Sequence, residues 1–136
     1  MDLTLHYFRN AAAVISYASH GPAGYIRLDW QAVPATPSEL RAIYEHVLRA
    51  MQHHRAPTLM TLHNNRPLMP PEVQTWLVQD WMPRAVTEAG YSRCAIVEAE
   101  SPLSRLAARS VGADVKGQLR FQYFDSEEAA DRWLRS

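Results

Sequence analysis

The chain has 136 residues, 47% of them apolar, which suits one domain with a substantial core and leaves little for a second. Fourteen basic residues balance fourteen acidic ones, so no global field of either sign favours nucleic acid or an anionic membrane surface. A lone cysteine, Cys94, excludes an internal disulfide, and its place in the apolar run CAIV marks it as a small buried hydrophobe.

Thirteen of the fourteen basic residues are arginine, with Lys116 the one lysine, a bias that genomic composition explains as readily as a need for bidentate contacts. The opening MDLTLHYFRN has neither a positive leader nor an unbroken apolar run, and no segment reaches roughly 18 apolar residues. These features predict a cytoplasmic protein without membrane insertion.

Residues 3 to 7, LTLHY, and 12 to 18, AAVISYA, read as short strands joined by a turn at Arg9 and Asn10. The connection SHGPAG leads to a third strand, Tyr25 to Trp30, with Ile26, Leu28 and Trp30 on one face and Arg27 and Asp29 on the other. Three strands joined by short turns make an antiparallel meander, so the sheet is expected to be mixed. Thr36, Pro37 and Glu39 then supply the cap, first-turn proline and reciprocal acid of a capping box. Leu40, Ile43, Tyr44, Val47, Leu48 and Met51 follow at helical spacing. His53, His54 and Arg55 suit the negative end of that helix, and Pro57 stops it.

Thr58 to Leu62 is a strand, expected to run parallel to the one before the helix through a right-handed crossover. The turn from His63 to Pro70 should expose His63, Asn64, Asn65 and Arg66 at its carboxyl end. Pro70 and Pro71 start a helix carrying Val73, Trp76, Leu77 and Trp81, which Pro83 should kink or restart and Gly90 should end. Cys94 to Val97 is a buried strand. Ser101 and Pro102 open a helix with Leu103, Leu106 and Ala107 expected inward and Gly112 at its end. A loop through Asp114, Lys116 and Gly117 precedes the last strand, Leu119 to Phe124. Asp125 and Glu128 are expected to frame a second capping box, for a helix packed by Ala129, Ala130, Trp133 and Leu134. The predicted fold is a single α/β domain spanning 1 to 136, a mixed sheet flanked by helices.

The chemical motifs are sparse. Six histidines invite a metal, but His46, His53, His54 and His63 lack the i, i+4 pairing and the HExxH pattern of a zinc site. No GxSxG elbow supports a hydrolase at Ser16, Ser19 and His20, and VGADVKG lacks the spacing of a phosphate-binding loop. Glu98 and Glu100 follow a strand and read most simply as turn and surface residues, with acid–base work in a carboxyl-end crevice shared with His63 as the alternative. Glu127 with Glu128 only begins a helix, where negative charge is favoured anyway. Arg105 and Arg109, four apart, offer an anion a landing place but read more simply as a solvated face. Trp30 and Trp133 read as core. Trp76 and Trp81, five apart, cannot both centre on one α-helical stripe without a kink or a broad buried face; simple core packing is the plainer reading, and at least one is a candidate for an interface or a cavity cap.

The strand and turn TLHNNRP, the following PPEVQTWLVQDWMPRAVTEAGYSRCAIV and the ending YFDSEEAADRWL resemble the STAS-like family of small bacterial domains, related in fold to anti-sigma factor antagonists. Arg66, Pro71, Trp76, Trp81, Pro83, Gly90 and the run from Phe124 to Glu127 carry the likeness, which covers 58 to 134. The amino-terminal strands agree in layout more than in residues. The resemblance implies a mixed sheet flanked by helices, with no established enzymatic activity and no cofactor. Regulatory antagonists of this fold bind a kinase-like partner and are switched by phosphorylation of a serine at the start of the helix after a central strand. No serine or threonine lies between Leu62 and Gln74, so that switch does not carry over. Asn64 stands where relatives often have an acidic residue, and no role transfers to it.

Two functional readings stay open. One is a noncatalytic regulatory or protein-interaction domain, with a protein partner or a second copy docking on His63, Asn64, Asn65, Arg66, Trp76 and Trp81. The other is a small-ligand or lipid-sensing domain, with an apolar cavity beside the loop and polar selection by His63, Asn65 or Arg66. No catalytic, cofactor or metal residue is assigned. An enzyme using His63 with Glu98 or Glu100 is the weaker third reading. A closed core with an exposed aromatic patch would favour a protein partner, and a cavity of roughly 300 Å³ or more beside the loop would favour a ligand.

Overall fold

A computed structural model describes residues 2–20, 23–113, 117 and 119–136. The expected loop through Asp114 and Lys116 and the tip of the SHGPAG connection lie outside the described residues. Strands β1 (Asp2–Arg9), β2 (Ala13–His20) and β3 (Ala23–Trp30) form the antiparallel meander. Strands β4 (Thr58–Leu62), β5 (Arg93–Val97) and β6 (Arg120–Phe124) continue it in parallel, so the six strands lie in the sheet in chain order. The Asn10 side chain fixes the first turn by accepting from the N–H groups of Ala12 and Ala13, each at 2.9 Å.

Monotonic strand order combined with right-handed crossovers places every crossover helix on one face. These are α1 (Pro37–His54), the composite α2 (Pro71–Trp76) and α3 (Met82–Ala89), and α4 (Pro102–Ala113). Ile15, Ile26, Leu28, Trp30, Leu59, Cys94 and Ile96 pack against them in the larger core. The terminal helix α5 (Glu127–Arg135) covers the other face through Ala130 and Leu134, against Tyr25, Met60 and Ala95. It is tied down by Tyr25 Oη donating to Asp131 at 2.7 Å and by Arg27 pairing with Glu127 at 2.8 Å. Arg93 donates to the Trp133 and Leu134 carbonyls at the carboxyl end of α5, where a cation complements the dipole, and its guanidinium lies 5.1 Å from the Trp133 ring.

The capping box of α1 forms as read: Glu39 N–H donates to Thr36 Oγ1 at 3.2 Å and Thr36 N–H to Glu39 at 2.9 Å. The helix stops at Arg55, which adopts a left-handed conformation (φ 53°) two residues before Pro57. Gly90 ends α3 with φ 69°.

Three local expectations are corrected. The cap of α5 is Ser126, which accepts from Ala129 N–H, so Asp125 and Glu128 frame no capping box. Leu103 and Leu106 are 61% and 67% exposed, whereas Ala108 and Val111 face the core. Gly112 does not end α4, which runs to Ala113; a Cβ at 112 would collide with the Tyr123 hydroxyl, so the glycine serves a close approach of helix to sheet.

Candidate functional site

The carboxyl end of β4 turns inward before it turns out. His63 N–H donates to Val97 O at 3.0 Å, extending the ladder with β5, and Arg66 N–H then donates to His63 O at 3.0 Å, closing a four-residue turn. Asn64 and Asn65 occupy its two central positions and are exposed. Leu59, Thr61 and His63 alternate onto the helix-bearing side, so His63 is buried, only 5% exposed, instead of standing on the exposed turn. Arg66 is half-buried and its Nε is fully enclosed.

The helix overhead is not uniformly α. Between α2 and α3, Leu77–Trp81 form a π-turn, with Met82 N–H donating to Leu77 O across five residues. Pro83 explains its position: proline lacks an N–H and its ring crowds the carbonyl four residues back, at Gln79, so widening the turn just before it relieves both conflicts. The extra residue in that turn resolves the spacing of the two tryptophans. Both rings reach Tyr44 of α1 edge-on, Trp76 at 6.5 Å and Trp81 at 5.2 Å between centroids. Trp81 is 1% exposed and donates from Nε1 to the Tyr44 carbonyl at 2.7 Å, whereas Trp76 is half-buried. Trp81 therefore belongs to the roof of the interior and not to the outer surface.

Beneath that roof lies a cavity of about 40 Å³. Its walls are mostly apolar, with Leu59, Leu77, Met82, Ile96, Val111 and Phe121 prominent. Its polar groups are Tyr44, Thr61, His63, Arg66, Tyr91 and Cys94, and among the described residues no Asp or Glu lines it. Burial pushes the Tyr91 hydroxyl well above its ordinary range and the Cys94 thiol up to about 12. Burial, and then the charge of Arg66, push His63 well below the ordinary histidine value, so it is neutral near pH 7. Tyr44 is raised by burial, with Arg66 acting the other way. Among the described residues Arg66 Nε has no hydrogen-bond partner and no ion pair joins Arg66 to a carboxylate.

A second, open groove of about 390 Å³ runs outside the cavity between α2, the π-turn and α4, lined by Pro71, Gln74, Thr75, Val78, Gln79 and Val111. Val111 borders both spaces. The large apolar side chains left exposed near this end are Leu68 in the loop, 55% exposed, and Leu103 with Leu106 on α4.

The acid–base set suggested by the sequence is not assembled. Glu98 is held by a bidentate pair with Arg109, both contacts 2.8 Å, and that pairing keeps its carboxyl below the usual range. Glu100 is exposed, and neither carboxylate reaches the cavity beside His63. The same contacts occupy the two arginines of α4, since Arg105 donates from Nε to Ala99 O at 2.6 Å. The histidines of α1 are taken up by stacking: Phe8 on His46 at 3.9 Å and Tyr17 on His54 at 4.2 Å. Among the described residues no group of three or more His, Cys, Asp or Glu could hold a metal ion. No helix of the described residues is long and apolar enough to cross a membrane.

Of the residues singled out by sequence, the structure gathers His63, Arg66 and Trp81 around one cavity and leaves Asn64 and Asn65 outside it. Sequence reasoning missed Thr61, Tyr91 and Cys94 as their neighbours. For Thr61 the signal was a hydroxyl within the apolar strand TLMTL, two residues from His63 and therefore on its face. Compared with known proteins, the chain matches no family model, no curated protein and no solved structure.

Proposed function

We propose that this chain is a noncatalytic protein-interaction domain of STAS-like type, docking another protein chain on the rim formed by the 63–68 loop and the outer face of α4. The observation that carries the reading is the placement of exposed apolar side chains. Leu103 and Leu106 are three residues apart on one outward helical face, and Leu68 projects from the loop at the same end of the sheet. The groove between α2 and α4 carries the side-chain amides and hydroxyl of Gln74, Gln79 and Thr75, groups suited to a polypeptide backbone. The enclosed space below supports the same choice, because 40 Å³ is about a tenth of the usual lower limit for an organic ligand pocket and excludes an acyl chain.

STAS-like type rests on the layout: an antiparallel meander continued by parallel strands with crossover helices, ending on a helix across the opposite face. Partner choice is then set without a phosphorylated loop, since the segment after β4 has no hydroxyl side chain before Thr75. The test is native mass spectrometry of the protein taken from its source cell, beside Leu103→Asp/Leu106→Asp. A second chain bound to the wild type and lost from the double variant is expected. A monomeric wild type, or a complex that survives both substitutions, overturns the reading.

A further inference from the structure

We infer that the cavity beneath the π-turn binds a small monovalent carboxylate, of the size of formate or acetate, through the Arg66 guanidinium. This goes beyond the docking reading and does not depend on it. Three observations converge on it: a buried donor without an acceptor, a lining without negative charge, and a space of fixed size.

Arg66 Nε–H is enclosed and unpartnered among the described residues, and a charged donor left so costs more than a neutral one. Native folds rarely keep such a group without a water or a ligand. The polar groups that share the cavity with it are the hydroxyls of Tyr44, Thr61 and Tyr91, the Cys94 thiol and the neutral His63 ring; Tyr44 interacts with the Arg66 guanidinium, but none of these groups carries a negative charge. Thr61 already accepts from Trp30 Nε1 at 3.3 Å, which leaves its own hydroxyl proton to give. Among the described residues no Asp or Glu stands in the walls, so an anion entering the cavity would complement the Arg66 charge.

The cavity selects among anions by size and shape. About 40 Å³ holds roughly two or three water-sized groups, enough for a carboxylate with at most one methyl group and too little for a larger acid. The planar fork of a guanidinium matches a carboxylate better than a spherical halide. The apolar walls from Leu59, Leu77, Ile96 and Phe121 suit the carbon end.

The Arg66 Nε–H resonance tests this directly, in two-dimensional nitrogen–proton spectra of the full chain titrated with sodium formate, acetate, chloride and sulfate at constant ionic strength. Formate or acetate is expected to move the Arg66 Nε–H signal downfield saturably, and acetate methyl protons to show contacts to Leu77 and to the Phe121 ring. Chloride and sulfate should leave that signal in place. Ala108→Val, which fills the cavity from α4, should abolish the shift while the rest of the spectrum stays native. No movement with either carboxylate would mean that the cavity holds only water, and the proposal would fall. An equal shift with chloride, parallel shifts of the exposed arginines, or binding undiminished in Ala108→Val would overturn it equally.

Discussion

Trp81→Phe and Trp76→Phe form a pair of substitutions that should behave very differently although the two side chains meet the same tyrosine. Trp81 is buried and gives its indole proton to the Tyr44 carbonyl at 2.7 Å. Replacing it removes a hydrogen bond of about 1 kcal/mol. The lost half of the indole buries roughly 40 Å² of apolar surface, about 1 kcal/mol, and the unfilled space adds about 1 more. The expected loss is about 3 kcal/mol, which moves a urea midpoint down by about 2 M when the slope is about 1.5 kcal/mol/M. Trp76 stands half-buried with its ring 6.5 Å from Tyr44, so its replacement should cost less than about 1 kcal/mol. Urea unfolding followed by circular dichroism reads both. Equal losses, or a larger loss at Trp76, would refute the assignment of Trp81 to the roof and with it the role given to the π-turn.

Three other outcomes follow from the same geometry. Cys94, with its thiol pushed up to about 12 by burial, should not react with a disulfide reagent at pH 8 until urea unfolds the chain, and ready labelling of the native protein would contradict the closed core. Stability should be flat just above pH 7 and fall below about 6.5, because the unfolded chain protonates His63 there while the folded one, held down by burial, does not; the slope contributed by this residue is at most about 1.4 kcal/mol per pH unit. His46 and His54, lowered by burial and then by Arg49 and His53 respectively, act in the same direction, so His63→Gln should flatten the dependence between pH 7 and 5 without removing it, and an unchanged slope would refute this. Glu98→Gln releases Arg109 and should speed amide hydrogen exchange in α4 while leaving α1 unchanged; equal exchange in α4 before and after would show that the pair does not hold the helix.

Much of this architecture is legible in the amino-acid sequence, and the particular successes have local causes. Thr36 to Glu39 carries a complete capping box, and Ile26, Leu28 and Trp30 alternate cleanly, so α1 and β3 depend on signals contained within a few residues. The failures depend on something longer in range. In α4 two apolar stripes compete, Leu103 with Leu106 and Ala108 with Val111, and periodicity cannot say which faces the sheet. The smaller pair is inward because the helix lies close to Tyr123 and Phe121 at Gly112, a constraint written in another strand. The π-turn is invisible to a 3.6-residue period, although Pro83 and the five-residue gap between the tryptophans together point to it. At α5, Asp125 and Ser126 are both competent caps, and only the geometry after β6 chooses the serine. For the site, residue chemistry identified the loop but not its direction: His63 goes in because strand alternation continues one residue past the end of β4, while the asparagines go out because they form the turn.

The docking rim is open to site-specific photo-crosslinking in the source cell. A photoreactive phenylalanine analogue at position 106, on the outer face of α4, should give one discrete adduct, with another protein or with a second copy of the chain. The same group at position 132, on α5 across the sheet, should give none. Adducts at 132 but not at 106, or none at either, would contradict the account.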